Sequence, residues 1–245
     1  MNGHVERWND LSTYPPDASV LDPADRRGHK NRYICGLRDQ AVVEALATAD
    51  AGMPVLDFGC GTGGLTRALV ASGRSVLGVD ISPGLLHRTR ERNLGDNALF
   101  VLYDGNHLPI ADASMSSATT YVVLNHIVDD GDLLAVLREI RRVLRPDGRL
   151  VAVEQVRSRP TCDAEAWQHR RTEAGFRAIF ERANFTVTAT TVLRYGHLPY
   201  IYAVRLGLIP ECAFPSLRRF ERWVGRYFGI LPWDYCDMRF EMTPR

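Results

Sequence analysis

Residues 55–69 read VLDFGCGTGGLTRAL, so that an apolar run, an aspartate and a glycine-rich turn stand directly before a helical pattern. Such a stretch is typical of the first strand and first helix of a nucleotide-binding sheet. Gly59, Gly61 and Gly64 also satisfy the dinucleotide fingerprint G-x-G-x-x-G. Glycine lets the backbone come close to a ligand, and all nucleotide sites share that need. The stretch therefore predicts a ligand at this turn and leaves its identity open.

The alternation of short apolar runs and helical patterns continues along the chain. The predicted strands cover 55–58, 75–80, 98–104, 116–124, 149–156, 185–194 and 234–242. The predicted helices cover about 31–49, 65–71, 82–95, 130–144 and 163–183, with Ser82 and either Asp130 or Asp132 as N-caps. This alternation predicts an α/β fold, a Rossmann-like doubly wound sheet with helices on both faces.

The length of 245 residues fits one α/β domain with elaborations. Residues 1–29 hold prolines and charges without a clear period and are predicted to form an N-terminal arm, followed by a single domain over 30–245. Residues 196–232, between the sixth and seventh strands, are too long for a hairpin. They are rich in aromatic residues and predict a helical insertion.

Composition excludes several classes of protein. A formal net charge of +1 gives no overall field for binding nucleic acid. The five cysteines contain no C-x-x-C pair, which argues against a zinc site or a disulfide framework. No signal-peptide core stands at the start, and no stretch reaches the roughly 20 apolar residues of a membrane-spanning helix. We therefore predict a soluble cytoplasmic protein.

Asp57, two positions before the first glycine, discriminates between ligands. A carboxylate ~4 Å from a pyrophosphate is repelled by roughly 4 kcal/mol per charge at an effective dielectric constant of about 20. Dinucleotide sites instead offer bare backbone amides and a helix dipole there. S-adenosylmethionine carries a sulfonium and an ammonium group and no phosphate, so the carboxylate would attract it directly or through a water molecule. Asp57 therefore favours a cationic cofactor.

Two further acids end the second and third strands. Asp80 is placed to accept hydrogen bonds from both hydroxyls of a ribose, as an acid in NAD sites also does. Asp104 stands where an adenine would lie and can accept a hydrogen bond from its amino group. Turn-capping could explain any one of these acids, but it explains all three beside a glycine turn less well.

These stretches resemble a class I S-adenosylmethionine-dependent methyltransferase. The resemblance covers about residues 30–195 and rests on VLDFGCGTG, GVDIS, YDGNHLPIADASMSSATTYVVLNHI and LREIRRVLRPDGRLVAVE. More narrowly, the chain resembles small-molecule enzymes of the ubiquinone/menaquinone type and their relatives in sugar and natural-product biosynthesis. The resemblance implies a seven-stranded sheet in the order 3-2-1-4-5-7-6 with strand 7 antiparallel. It also implies S-adenosylmethionine as cofactor, S-adenosylhomocysteine as product and no metal.

The resemblance assigns the cofactor to residues at the ends of the first four strands, namely Asp57, Gly59, Cys60, Gly61, Asp80, Ile81, Asp104, Gly105, Tyr121 and Val122. The glycine turn would hold the methionine part, the second strand end the ribose, the third the adenine edge, and the fourth would lie near the sulfonium. Tyr33 and Arg38 are predicted to fold over the methyl donor, with the arginine meeting its carboxylate. The alternative is that Tyr33 packs and Arg38 is solvated.

His126, after the fourth strand, is the predicted general base for an oxygen nucleophile. Its alternative role is an ordinary histidine paired with Asp129 or Asp130. His107 and His197 are weaker candidates for the base. Asn125, beside His126, could position an acceptor hydroxyl or serve as a turn residue. Asp129, Asp130 and Asp132 follow His126 and could form a magnesium site. Their spacing better fits N-capping of the next helix, so we predict no metal.

The insertion is predicted to bind the acceptor. Within it, SLRRFERWVGRYF reads as an amphipathic helix with Ser216 as cap and with Leu217, Phe220, Val224 and Phe228 on one face. We predict a lid whose apolar face covers the pocket. The alternative is peripheral contact of 216–228 with an anionic membrane or a lipid-linked acceptor.

Together these features predict a methyltransferase that transfers a methyl group by in-line displacement to a hydroxyl group. The predicted acceptor is a small molecule, a sugar or a natural product, and aromatic and lipid-linked acceptors are included. Transfer to nitrogen or carbon is the alternative within the same fold. The rivals of another class are an NAD-dependent oxidoreductase and a non-catalytic subunit that binds the cofactor. The sequence leaves the oligomeric state open.

Overall fold

The computed structural model describes residues 2–13, 22, 24–163, 167–196, 198–227 and 234–245. Its strands are β1 (Val55–Phe58), β2 (Val76–Asp80), β3 (Ala98–Leu102), β4 (Met115–Tyr121), β5 (Leu144–Arg157), β6 (Thr161–Cys162), β7 (His169–Arg170), β8 (Phe185–Tyr195) and β9 (Tyr235–Pro244). The main sheet runs β3-β2-β1-β4-β5-β9-β8, and β6 pairs with β7 in a separate ribbon. β9 is antiparallel to both of its neighbours. The predicted order and antiparallel last strand are therefore confirmed.

The helices are α1 (Asn2–Leu11), α2 (His29–Leu46), α3 (Gly64–Ala71), α4 (Pro83–Glu91), α5 (Asp130–Val143), α6 (Glu173–Arg182), α7 (Tyr200–Arg205) and α8 (Phe214–Tyr227). Successive strand side chains point to opposite faces, so β1 contributes to two cores. Leu56 joins a cluster with Leu137 of α5, whereas Val55 joins a cluster with Leu37 of α2 and Leu69 of α3.

The helix starts follow the capping chemistry of the chain. Ser82 caps α4 as predicted, because its hydroxyl accepts a hydrogen bond from the backbone three residues on. The cap of α5 is Asp129 and not Asp130 or Asp132. Its carboxylate accepts hydrogen bonds from the N–H groups of Gly131 and Asp132, at 2.7 and 3.0 Å.

Two predicted helix boundaries are wrong. The helix predicted over 163–183 begins only at Glu173, after the cap Thr172, because the residues before it form the β6–β7 ribbon. The insertion helix begins at Phe214, so Ser216 lies within it and does not cap it.

The predicted N-terminal arm contains α1, which lies against the start of α4. The side-chain oxygen of Asn9 accepts hydrogen bonds from Ser82 Oγ at 2.7 Å and from the N–H of Gly84 at 3.1 Å. Residues 1, 14–21 and 23 of the arm lie outside the described part of the chain.

The insertion between β8 and β9 contains α7 and α8. Ile201, Val204 and Phe214 pack with Tyr33 and Ile34 of α2 in a third apolar cluster. The insertion is thereby joined to the helix layer beside the sheet. Residues 197 and 228–233, which include the predicted Phe228 of its apolar face, are not described.

Candidate active site

A cavity of about 710 Å³ lies at the carboxyl ends of β1, β2 and β4. The strand order reverses between β1 and β4, and ligands of doubly wound sheets bind beside such a point. All but three of the predicted site residues line this cavity; the lining set is Asp57, Gly59, Cys60, Gly61, Asp80, Ile81, Gly105, Tyr121, Val122 and His126.

The glycine turn forms the floor of the cavity. Gly59 has a φ of +74°, and a Cβ built on it would lie 2.5 Å from the side chain of Val123. Any side chain at position 59 is therefore excluded both by the backbone conformation and by the loop after β4. Gly61 is left-handed as well, with a φ of +55°. Glycine thus allows the turn and the post-β4 loop to approach each other under the cavity.

Asp57 lies beneath this turn and is 1% exposed. Its carboxylate accepts hydrogen bonds from Thr66 Oγ1 at 2.6 Å and from Thr119 Oγ1 at 3.4 Å. Burial raises the pKa of Asp57 to about 6, even though these hydrogen bonds favour the ionised form. The carboxylate therefore joins β1, β4 and α3 at the cavity floor.

Asp80 fixes the backbone on both sides of the proposed ribose position. One carboxylate oxygen accepts a hydrogen bond from the N–H of Gly61 at 2.8 Å, and the other from the N–H of Ser82 at 2.9 Å. Burial raises the pKa of this carboxyl. A carboxylate oxygen has two lone pairs, so each oxygen can accept one further hydrogen bond from a ligand hydroxyl.

Asp104 lies outside the cavity lining, and its contact with the adenine stays a prediction. Its carboxylate accepts hydrogen bonds from the N–H groups of Asn106 and His107 and closes its own turn. These bonds hold the pKa of Asp104 below its ordinary value. Gly105 and Asn106, the next two residues along the chain, do line the cavity.

The loop after β4 is held in a conformation that its own sequence disfavours. Val122 has a φ of +56°, a left-handed value that is rare for a β-branched residue. Glu154 on β5, fully buried, accepts hydrogen bonds from the N–H groups of Val123 at 2.9 Å and Leu124 at 2.8 Å. Its second oxygen accepts one from Asn125 Nδ2 at 3.1 Å. Burial raises the pKa of Glu154 to about 7, although these hydrogen bonds act to lower it.

Sequence reasoning missed Glu154, although VAVEQV places a lone carboxylate within an otherwise apolar central strand. It also missed Tyr103, whose ring lines the cavity. The hydroxyl of Tyr103 is buried and meets no hydrogen-bond partner among the described residues. Burial raises the pKa of Tyr103 to about 12, so this hydroxyl remains a donor at neutral pH. A buried donor of this kind calls for an acceptor on a bound ligand.

His126 lines the cavity and is already engaged by its neighbours. Its Nδ1 lies 3.3 Å from the carbonyl oxygen of Trp167, and its Nε2 lies 3.3 Å from the side-chain nitrogen of Gln168. A carbonyl can only accept, so Nδ1 carries the proton and Nε2 is the basic nitrogen. The edge of its ring meets Trp8 of α1 at a centroid distance of 4.8 Å. The predicted pairing with Asp129 or Asp130 is replaced by these contacts.

Tyr33 and Arg38 do not line the cavity, and their contact with the methyl donor stays a prediction. Arg38 donates two hydrogen bonds to the carboxylate of Asp237, at 3.1 and 3.0 Å, and Tyr33 donates one to Glu221 at 2.6 Å. Burial alone would raise the pKa of Asp237, but the guanidinium groups of Arg38 and Arg194 hold it below its ordinary value. All five side chains are buried. They tie α2, β8, β9 and α8 together, and Cys35 and Asp39 are the residues of α2 that line the cavity.

The remaining candidates have structural partners. His107 is largely exposed and lies 2.9 Å from a carboxylate oxygen of Glu139. Asn125 is held by Glu154 and by the carbonyl of Gln155. Over the described ranges, no three histidine, cysteine, aspartate or glutamate side chains are grouped so as to hold a metal ion. His197 lies outside the described residues.

The predicted lid over the pocket is also corrected for the described part of the insertion. Within residues 196 and 198–227, no side chain contributes to the cavity lining. α8 packs instead against β8, where a Cβ on Gly225 would lie 2.9 Å from the carbonyl oxygen of Val192. None of the helices in the described chain has both the length and the apolar character needed to cross a bilayer.

Comparison with known proteins agrees with this geometry. Residues 55–148 match the family model described as a methyltransferase domain. A demethylmenaquinone methyltransferase of Clavibacter sepedonicus is 39% identical over 152 residues, which are 59% of this chain and 60% of that protein. Such curated relatives are covered over 40% to 60% of their own length.

Two solved structures share the fold at low sequence identity. Geranyl diphosphate C-methyltransferase from Streptomyces coelicolor has a TM-score of 0.67 at 16% identity, covering 100% of this chain and 97% of that one. Phosphoethanolamine N-methyltransferase 2 of Haemonchus contortus has a TM-score of 0.62 at 17% identity, covering 85% of this chain and 52% of that one. The predicted resemblance to S-adenosylmethionine-dependent methyltransferases is thus confirmed for the matched methyltransferase domain, residues 55–148.

Proposed function

We propose that this chain transfers the methyl group of S-adenosylmethionine to a small-molecule acceptor held in the cavity. The observation that carries the proposal is the charge of the cavity wall. Five carboxylates line it, and the described lining contains no lysine or arginine; the acids are Asp39, Asp57, Asp80, Asp129 and Asp132. This field attracts a cationic cofactor and repels a pyrophosphate by roughly 4 kcal/mol for each acid at ~4 Å.

The residues present fit S-adenosylmethionine, which supplies an activated methyl group on a sulfonium when it is bound. The free lone pairs of Asp80 would accept from the ribose, and Ile81 with Gly105 would contact the adenine. The buried hydroxyl of Tyr103 would donate to a cofactor acceptor. Asp57 would act from beneath the glycine turn, through its negative charge.

The chain's own contribution to the chemistry is alignment and exclusion of water. Holding acceptor and donor in line can supply up to roughly 7–11 kcal/mol of the barrier. Trp8 from α1 and the post-β4 loop wall the cavity and would keep water from the reacting atoms. For a hydroxyl acceptor, Nε2 of His126 would take the proton once it gives up its contact with Gln168.

A hydroxyl acceptor is the preferred form of the proposal because the cavity offers a histidine with one basic nitrogen. Transfer to carbon or nitrogen stays the alternative, and both kinds of enzyme occur among the structural neighbours. A cytoplasmic location and a sugar or natural-product acceptor also stay predictions.

An acceptor-dependent assay for S-adenosylhomocysteine tests the proposal. Purified chain, S-adenosylmethionine and pooled hydroxylated sugars, polyketides and quinols should give product well above an acceptor-free control. His126→Ala should remove most of that turnover for an oxygen acceptor. If tight cofactor binding occurs without turnover on any pool, a non-catalytic cofactor-binding subunit would replace this proposal. Reduction of NAD⁺ with a hydroxy substrate would replace it with an oxidoreductase.

A further inference from the structure

The solvent face of α8 carries an aromatic stripe, which consists of Phe220, Trp223 and Tyr227. These side chains are 51%, 50% and 61% exposed. Their spacing of three and four residues places them on one side of the helix. Ring centroids lie 6.0 Å apart between Phe220 and Trp223 and 5.7 Å apart between Trp223 and Tyr227. The stripe is therefore one continuous apolar surface about two turns long.

The opposite side of α8 is fixed to the body of the protein, so the stripe faces outward. Glu221 is 0% exposed, accepts a hydrogen bond from Tyr33 at 2.6 Å and lies 3.4 Å from the guanidinium of Arg194. Phe214 is buried among α2 and α7. Rolling the stripe inward would break the buried ion pair and leave its charges without compensation, which is strongly unfavourable.

Arginines make up most of the charged residues of α8. α8 holds four arginines and one acid, and that acid is the buried Glu221. Arg218 donates to backbone carbonyls of α2, and Arg222 pairs with Glu44 at 2.7 Å. Arg219, next to Phe220, is exposed. The outer face of α8 thus combines large aromatic rings with one exposed positive charge at their edge, that of Arg219.

We propose that the aromatic stripe docks on an anionic lipid surface. A helix with aromatic residues and arginine on its exposed face lies in the headgroup region, where the rings enter the acyl boundary and the guanidinium groups meet lipid phosphates. Tryptophan and tyrosine suit that boundary because they join an apolar ring to a polar group. The inference goes beyond methyl transfer and does not depend on it.

A second copy of this chain fits the stripe less well. A two-fold interface would bring the same patch of both copies together, so that the arginines of one α8 would face those of the other. Like charges brought together in this way repel each other. Charge complementarity therefore selects an anionic occupant.

Vesicle co-sedimentation of the full chain tests the proposal. We expect at least roughly tenfold more binding to phosphatidylcholine vesicles containing phosphatidylglycerol than to phosphatidylcholine alone, because guanidinium groups at an anionic surface are attracted to the lipid headgroups. Raising the salt concentration should weaken the binding. Absence of binding to the anionic vesicles would overturn the proposal.

Three variants distinguish binding through the aromatic stripe from non-specific hydrophobic binding to vesicles. Serine at all three stripe positions should abolish binding, and Arg219→Glu should reduce binding only to anionic vesicles. The matched control is Leu99→Ser with Leu102→Ser, which removes comparably exposed apolar side chains from β3 and should leave binding unchanged. Unchanged circular dichroism and S-adenosylhomocysteine binding verify folding of each variant.

Two results would overturn the inference in favour of another occupant. One is self-association in light scattering that the triple serine variant abolishes, without vesicle binding. The other is binding to polyglutamate but not to vesicles, which would point to an acidic protein.

Discussion

Replacing Glu154 by glutamine should change how the stability of the protein depends on pH. Burial raises the pKa of Glu154 to about 7, from its ordinary value of 4.5. Between these two pH values the folded state keeps a proton that the unfolded state has released, so stability falls as pH rises. At 1.36 kcal/mol for each pH unit, this loss amounts to about 3 kcal/mol. Because glutamine does not titrate, the Glu154→Gln variant should not show this loss of stability.

Urea unfolding of the wild type and Glu154→Gln at pH 4.5 and pH 7.5 measures this effect. The free energy of unfolding of the variant minus that of the wild type should increase by about 3 kcal/mol from the lower to the higher pH. Asp104→Asn is the matched control: its carboxyl is exposed and its pKa is lowered, so it should not give such an increase. A difference that stays constant, or falls, between the two pH values would refute the raised pKa.

Glu154→Leu tests whether the loop after β4 needs the hydrogen-bond acceptor that Glu154 provides. Leucine leaves the backbone N–H groups of Val123 and Leu124 without acceptors, at a cost of about 1–3 kcal/mol each. Glutamine retains a carbonyl oxygen for both. We therefore expect Glu154→Gln to bind S-adenosylhomocysteine within about threefold of the wild type and Glu154→Leu to bind at least about tenfold more weakly. Equal affinity of the two variants would show that the loop does not need this acceptor.

Four further changes probe the cavity. Asp57→Asn should remove the loss of stability between pH 3.8 and about 6 that follows from the raised pKa of this carboxyl, as unfolding curves across that range would show. Tyr103→Phe should leave the melting temperature unchanged and weaken cofactor binding about tenfold, because its hydroxyl has no other described partner. Gly59→Ala should abolish cofactor binding in calorimetry, since its Cβ would lie 2.5 Å from Val123. His126→Gln should lower kcat on an oxygen acceptor by about 10²–10⁴ while cofactor affinity stays within threefold; unchanged turnover would exclude it as the base.

The sheet order and most of the cavity lining could be predicted because both follow from local patterns. β1, β2 and the glycine turn are contiguous in sequence, and the acids that end the strands fall at the same edge of a parallel sheet. Asp104 shows the limit of that reasoning. It ends the expected strand, yet its carboxylate serves two N–H groups of its own turn.

Contacts between distant parts of the chain could not be predicted. Arg38 meets Asp237 across 199 positions, and no local pattern links the two. The same network sets the orientation of α8. Glu221 is buried because it contacts Tyr33 and Arg194, and Phe220, which was predicted on the buried face, is therefore exposed to solvent. A helical-wheel analysis of α8 treats Glu221 as a surface residue, and it therefore assigns the wrong face of the helix to the protein interior.

Isothermal titration of the chain with S-adenosylhomocysteine and with NAD⁺ tests most directly whether the acidic cavity is a site for S-adenosylmethionine. We expect one equivalent of S-adenosylhomocysteine to bind with a Kd on the order of 10 µM or tighter, which is about −7 kcal/mol, and NAD⁺ not to bind measurably. Asp80→Asn should weaken that binding by about 10- to 100-fold, because one charge-assisted acceptor for the ribose is lost. Tight binding of NAD⁺, or no binding of S-adenosylhomocysteine at millimolar concentration, would contradict the assignment.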